Sequence, residues 1–284
     1  MKMPTKIDGK VLAQKIRDGL KEKASEYKEK YGRVPGLAVI LVGEDAASQV
    51  YVRMKNKACE EAGFKSIVDR MPETVSTEEL LAKVEAYNND DSINGILVQL
   101  PLPKQIDEKK VLYAIKPEKD VDGFHPVNVG LLSIGEDALA PCTPAGVMVM
   151  FEEYGIELSG KNVVVLGRSN IVGKPMAALL IKASATVTVC HSKTKNLKDI
   201  CRRADIIVAA IGRANFVTAD MVSDGAVIID VGINRLEDKL VGDVDYDAVE
   251  GKASYITPVP GGVGPMTIAM LLSNTLKAFE KTLN

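Results

Sequence analysis

Leu37-Ala38-Val39-Ile40-Leu41-Val42 is an unbroken apolar run closed by Gly43, and its continuity predicts a strand buried on both faces. Before it, Val11, Leu12, Ile16 and Leu20 recur at helical spacing from a start at Asp8 or Gly9, and the pattern ends by Gly32. After it, Ser48 to Ala62 reads as a helix closed by Gly63. Ile67-Val68 reads as a short strand. Ser76 to Tyr87 reads as a helix opened by a Ser76/Glu79 capping box. Gly95 to Leu100 is a further apolar strand, stopped by Pro101 and Pro103, and Asp107 to Ile115 is a short helix. Strand and helix alternate, which predicts a parallel sheet with helices on both faces.

From Pro117 to Pro144 the pattern becomes irregular and rich in Gly, Pro and Asp, as expected of a linker carrying site loops. Ala145 to Tyr154 reads as a connecting helix. A second alternation follows, with strands at Val163–Leu166, Val187–Cys190, Ile206–Ile211 and Val227–Val231. Helices are expected at 174–183, 195–203 and around 218–222. The loop Pro258 to Pro265 precedes a last helix with Ile268, Leu272, Leu276 and Phe279 on one face. That face can pack back on the first domain and make it discontinuous.

Composition adds limits rather than detail. The chain has 284 residues, 46% apolar and 26% charged, enough for one large or two medium domains. A formal charge of −2 gives no reason to expect nucleic acid or an anionic membrane as partner. No apolar run approaches the roughly 18 residues of a membrane span. The first 30 residues are dense in Lys and Glu, unlike a secretory signal, so a cytoplasmic protein is expected. Cys59, Cys142, Cys190 and Cys201 form no C-x-x-C pair and read as reduced thiols. With only His125 and His191 as histidines, no metal site is expected.

The strand Val163–Leu166 ends at Gly167, and Gly173 opens the next helix: G-x-S-x-x-x-G-x-P. Such a turn offers free helix N–H groups to a phosphate. Five residues separate the glycines and Pro175 follows Lys174, so an ATP-type P-loop does not fit. Ile171 stands where a nucleophile elbow needs its second glycine. A tight turn without a ligand remains the plain alternative. NAD folds place an acid at the end of the next strand, about 20 residues on. Here that strand ends Val189-Cys190-His191-Ser192-Lys193, with no acid, and Arg168 lies in the turn. Cations without a carboxylate suit a 2′-phosphate, which favours NADP. Lys193, Lys195 and His191 read equally well as ordinary loop residues.

Tyr51 and Lys55 are four apart on a predicted helix and share a face, as many surface pairs do. Gln99 ends a buried strand, where open α/β sheets gather ligands. Asp120 and Asp122 precede Gly123, and either can be a turn former.

Five stretches together resemble one family. They are Tyr51-Val52-Arg53-Met54-Lys55, Val98-Gln99-Leu100-Pro101-Leu102-Pro103, Lys119-Asp120-Val121-Asp122-Gly123, Gly167 through Pro175, and Pro260-Gly261-Gly262-Val263-Gly264-Pro265. They are similar, in order and across nearly the whole chain, to the bifunctional methylenetetrahydrofolate dehydrogenase/cyclohydrolases. The resemblance implies an α/β protein of two domains with a cleft between them. An N-terminal α/β folate domain would span 1–141 plus 266–284, and a C-terminal Rossmann-like parallel-sheet domain 142–265. It implies NADP-dependent oxidation of 5,10-methylenetetrahydrofolate to the methenyl form, then hydrolysis to 10-formyltetrahydrofolate, in a homodimer of one-carbon metabolism. By the same resemblance Lys55 is the catalytic lysine, Gln99 its partner, Tyr51 the ring that stacks on folate, and Asp122 the pterin anchor. Leu100, Pro101, Pro260, Gly261 and Gly262 fall at substrate positions. Gly167, Arg168, Ser169, Ser192 and Ile233 fall at cofactor positions. Loss of the lysine would have pointed to a monofunctional dehydrogenase with weak or no cyclohydrolase activity, and Lys55 is present.

These residue types suit the chemistry. Hydride leaves a carbon flanked by two nitrogens, and the cation left behind is delocalised over both, so positioning does most of the work. Hydrolysis needs protons moved as a C–N bond breaks, which a lysine can do where burial or a neighbouring cation lowers its pKa. A glutamine can hold the amine without pinning its proton, because an amide both donates and accepts.

Overall fold

A computed structural model describes residues 4–237 and 239–283. In chain order the elements are β1 (Thr5–Lys6), α1 (Gly9–Tyr31), β2 (Gly36–Val42), α2 (Ala46–Glu61), β3 (Lys65–Met71), α3 (Thr77–Asn88), β4 (Gly95–Val98), α4 (Glu108–Ala114), α5 (Pro126–Ser133), α6 (Cys142–Glu153), β5 (Asn162–Leu166), α7 (Gly173–Lys182) and β6 (Thr186–Cys190). Then come α8 (Leu197–Cys201), β7 (Ile206–Ala209), β8 (Val227–Asp230), β9 (Asn234–Leu236), β10 (Lys239–Val241), α9 (Tyr246–Val249), β11 (Tyr255–Ile256) and α10 (Val263–Glu280). The chain divides into two compact units.

One unit holds Gln14–Leu131, Asp137–Cys142 and the chain from Ile268 onward. Its three strands are parallel in the order β3-β2-β4. All of β2 is buried, as its unbroken apolar run requires. Burying side chains such as Leu37, Ile40 and Leu41 contributes about 1.5–3 kcal/mol each. The expected pair Ile67-Val68 is corrected to the seven-residue β3. That strand is an edge, only half-buried, so Lys65, Asp69 and Arg70 are tolerated in it and mask the apolar signal. Asp45 caps α2 by accepting the Ser48 N–H at 2.7 Å. Ser76 and Glu79 form the reciprocal capping box at α3.

The expected irregular stretch over 117–144 is also corrected: it contains a 3₁₀ turn (Pro117–Lys119) and α5. Pro126 at the first position of α5 suits a helix start, while Gly130 inside it weakens the pattern. In α10, Leu272, Leu276 and Phe279 are buried, as the apolar face predicts.

The other unit holds the chain up to Ala13, Leu132–Glu136 and Thr143–Thr267. Its main sheet has six strands, all parallel, in the order β1-β11-β8-β7-β5-β6. The core beneath them includes Val164, Leu166, Ile207, Ile228 and Ile256. The helix expected over 195–203 is shortened to α8, and that around 218–222 is a 3₁₀ turn, Ala219–Met221. Strands β1 and β11 have two residues each, and β9 and β10 form an antiparallel pair of three each. Such short segments carry no periodicity to read. No helix among the described residues is long and apolar enough to cross a membrane.

Candidate active site

In the three-stranded sheet the chain leaves β2 for β3 on one side and returns to β4 on the other. Ligand crevices form at such reversals, outside the carboxyl ends of the strands. Gln99 follows β4 there, and its N–H donates to the Ile40 carbonyl at 2.9 Å. Lys55, on α2, donates from Nζ to Gln99 Oε1 at 3.0 Å. Gln99 Nε2 donates to the Leu100 carbonyl at 2.7 Å, so the amide cannot flip without losing both bonds. Ser48 Oγ donates to the same carbonyl at 3.5 Å, and the Leu100–Pro101 peptide is cis. Tyr51, one turn before Lys55, is 42% exposed, so its ring face is open to a ligand.

The segment Lys119 to Gly123 divides its labour residue by residue. Lys119 Nζ donates to the Tyr87 and Asp90 carbonyls at 3.0 and 2.9 Å, tying down the end of α3. Asp120 is buried and accepts N–H groups of Phe124, His125 and Asn128 at 3.3, 2.8 and 2.9 Å. It is the turn former of the two acids. Val121 is core. Gly123 has φ +74°, and a Cβ there would crowd the 139–141 backbone. Asp122 has none of these duties. Burial pushes its carboxyl up to about 6, Lys55 pulls it down, and Asp120 pushes it further up. The charge of Lys55 therefore reaches Asp122. Behind it, Asn274 Nδ2 donates to the Val121 and Ala140 carbonyls at 2.8 Å each.

In the six-stranded sheet β6 and β7 flank β5, so the chain reverses between β5 and β7. A cleft of about 480 Å³ opens there, lined by Gly167, Arg168, Ser169, His191, Ser192 and Arg213 among others. Gly167 has φ +119°, and a Cβ on it would collide with the Ala210 carbonyl. A Cβ on Gly173 would collide with the Gly167 carbonyl. The glycine spacing thus lets two backbone turns touch and leaves room for a ligand. Ser169 Oγ accepts the N–H of Val172 at 3.1 Å and of Gly173 at 3.4 Å, which leaves its O–H proton to donate outward. Ser192 lies inside a tight turn, where Thr194 N–H donates to the His191 carbonyl at 2.8 Å. Arg213 stacks its guanidinium 4.6 Å from the Phe216 ring centre. Sequence reading missed Arg213, Phe216 and Thr194 as lining residues; the only signal was Gly212 after an apolar strand.

Ile233 is 49% exposed, and its Cδ1 lies against Gly264 of the Pro260–Pro265 loop. That loop is fastened to the start of α1. Lys10 N–H donates to the Gly261 carbonyl at 3.1 Å, and a Cβ on Gly9 would collide with the Gly262 carbonyl. The Val259–Pro260 peptide is cis and Gly261 has φ +101°.

Two family models match the chain. The tetrahydrofolate dehydrogenase/cyclohydrolase catalytic domain matches residues 7–122, and the NAD(P)-binding domain of the same name matches 141–283. Bifunctional protein FolD of Campylobacter concisus is 65% identical over 275 residues, 96% of this chain and 97% of that one. The crystal structure of the bifunctional FolD methylenetetrahydrofolate dehydrogenase/cyclohydrolase of Campylobacter jejuni gives a TM-score of 0.96 at 55% identity, covering 98% of this chain and 99% of that one. The Trypanosoma brucei enzyme, complexed with NADP cofactor and inhibitor, gives 0.97 at 43% identity, covering 100% of both chains. Both halves match in order over nearly all of the sequence, and the chain belongs to the tetrahydrofolate dehydrogenase/cyclohydrolase family.

Proposed function

We propose that this chain oxidises 5,10-methylenetetrahydrofolate to the 5,10-methenyl form with NADP and hydrolyses that product to 10-formyltetrahydrofolate, with Lys55, Gln99, Tyr51 and Asp122 as the working set. The observation that carries the reading is the Lys55–Gln99 bond of 3.0 Å at the carboxyl end of β4, with Asp122 close enough for its charge to feel Lys55. Asp122 can accept two hydrogen bonds from the amino-pyrimidinone edge of a pterin. Tyr51 offers a flat apolar face to the folate rings. Together they hold the reacting carbon in place, which is the main demand of hydride loss.

NADP, when bound, takes up the hydride. The cleft beside Gly167 fits it: a cradle that a Cβ would fill, a ten-residue helix presenting its N-terminus, Arg168 at the rim, and no acid after β6. In the hydrolytic step water adds to the methenyl carbon and loses a proton. The C–N bond to one ring nitrogen then breaks as that nitrogen gains a proton. Lys55 moves these protons, and Gln99 aims its amine through Oε1. Leu100 and Pro101 border the substrate; Ser192 and Ile233 border the cofactor. Absorbance assays of NADP reduction with methylenetetrahydrofolate and of methenyltetrahydrofolate decay test both halves. Absence of either activity in the purified protein sinks the bifunctional reading.

By this reading 1–141 plus 266–284 serve the folate and 142–265 the cofactor; residues 1–3, 238 and 284 lie outside the described residues. Lys55, Gln99 and Asp122 share one compact unit, while β1 pairs into the cofactor-side sheet. Hydrogen-exchange protection by NADP confined to 142–265 is the expected result. A homodimer of a cytoplasmic enzyme completes the proposal. Its support is β6, a sheet edge with one side unpaired, Val189 37% exposed on it and Ile181 63% exposed on the adjoining α7. Sedimentation as a monomer at micromolar concentration would count against it.

A further inference from the structure

Two acids with no place in either site stand close together below the cofactor cleft. Asp230, which ends β8, is 4% exposed, and Asp243 is fully buried. Asp230 Oδ1 accepts the N–H of Gly232 at 3.0 Å and of Asp243 at 2.9 Å, and its Oδ2 accepts that of Val244 at 2.9 Å. Asp243 Oδ2 accepts the N–H of Ile211 at 2.7 Å and of Gly212 at 3.0 Å. Its Oδ1 accepts the N–H of Arg213 at 2.8 Å and Asn234 Nδ2 at 3.0 Å. No lysine or arginine side chain is among these partners. Burying a carboxylate without a cation is tolerated only when hydrogen bonds replace its water, and here the two carboxylates take seven N–H donors. The fit leaves no slack: a Cβ on Gly232 would collide with Asp243 Oδ1, and one on Gly242 with Asp230 Oδ2.

What Asp243 joins gives it a purpose. Ile211 and Arg213 follow β7 and line the cleft that begins at Gly167. Asn234 follows Ile233, beyond β8, beside the Gly264 loop. One carboxylate thus fixes the loops after two adjacent strands, and in a doubly wound sheet such loops together border one extended dinucleotide. We propose that Asp243 is a positioning residue for NADP. It registers the Ile211–Arg213 loop against the Ile233–Asn234 segment, so that the two ends of the cofactor meet walls already in place, and it touches neither cofactor nor substrate. The proposal rests on the reading that the Gly167 cleft holds NADP. Ordering those loops in advance lowers the cost of binding, so the loss on mutation falls on NADP rather than on folate.

Asp243→Asn keeps the shape but turns one acceptor into an NH₂ that opposes N–H donors. The expected result is a rise of about tenfold or more in the KM for NADP, with methenyl hydrolysis, assayed without NADP, within about twofold of the parent. Asn234→Ala, which removes one donor and leaves three, serves if the first variant folds poorly; a smaller rise in the same constant with hydrolysis kept is expected. Arg168→Ala is the control for the cleft itself. If it raises the KM for NADP and neither Asp243→Asn nor Asn234→Ala does, the positioning role is overturned and the cofactor site stands. If none of the three variants changes it, the cofactor reading fails and takes the proposal with it. An equal loss of both activities in both Asp243→Asn and Asn234→Ala assigns Asp243 to general stability and overturns the proposal.

Discussion

In the three-stranded sheet β2 has β3 on one side and β4 on the other; in the six-stranded sheet β5 has β6 and β7. Each sheet therefore reverses direction at its centre, the place where open α/β sheets form a ligand crevice at the carboxyl edge. What stands in the crevice differs. Beside β4 it is side chains: Lys55, Gln99 and Asp122. Beside β5 it is mainly backbone: Gly167, the start of α7, and a loop pinned by its own N–H groups. Moving a proton needs a titratable group, whereas binding a phosphate needs N–H groups and space. On the proposed reading the same topology serves chemistry in one unit and capture in the other.

If that division holds, mutations in one crevice should spare the activity that depends on the other. The largest effect is expected for Lys55→Met. Hydrolysis of methenyltetrahydrofolate should fall by roughly 10²–10⁴-fold, the usual range for a lost acid–base group. NADP reduction should fall far less, and equal losses in the two absorbance assays would break the comparison. Next comes Gly167→Ala. Its Cβ meets the Ala210 carbonyl at a backbone φ of +119°, so the turn must open. The KM for NADP should rise about tenfold or more while hydrolysis persists; an unchanged KM would remove the cradle from the cofactor site.

The smallest and sharpest effect concerns Asp122, whose carboxyl is pushed up to about 6. As pH falls through 6 the carboxylate gains a proton and loses acceptor capacity, so the KM for the folate substrate should climb. Asp122→Asn should raise that KM several-fold at neutral pH and flatten the climb. Stability carries the opposite sign. A raised carboxyl favours the protonated fold, a contribution fully present below the ordinary carboxylate value near 3.8 and lost as pH rises through about 6. Thermal unfolding of the ligand-free protein should show this fall, and Asp122→Asn should reduce it.

The buried strands were legible because both faces are covered. Leu37–Val42 and Val163–Leu166 read as apolar runs and are buried almost throughout. Edge strand β3 was not legible, because its side chains are only partly covered and charged residues are tolerated among them. The pairs β1–β11 and β9–β10 are too short for any pattern and exist only because a neighbour supplies their hydrogen bonds. Asp120 and Asp122 looked alike in sequence; three N–H donors converge on the first, and burial beside Lys55 marks the second.

By resemblance to the family the sequence pointed to residue types fit for folate chemistry; by itself it determined the α/β class, the order of most elements and the glycine turn. These depend on local periodicity and on steric limits that a few neighbouring residues impose. Tertiary structure alone decided which acid is free, how Gln99 aims Lys55, and that Asp243 gathers loops from two strands. Each of these depends on donors brought together from distant positions, and no local pattern encodes where a hydrogen bond will end.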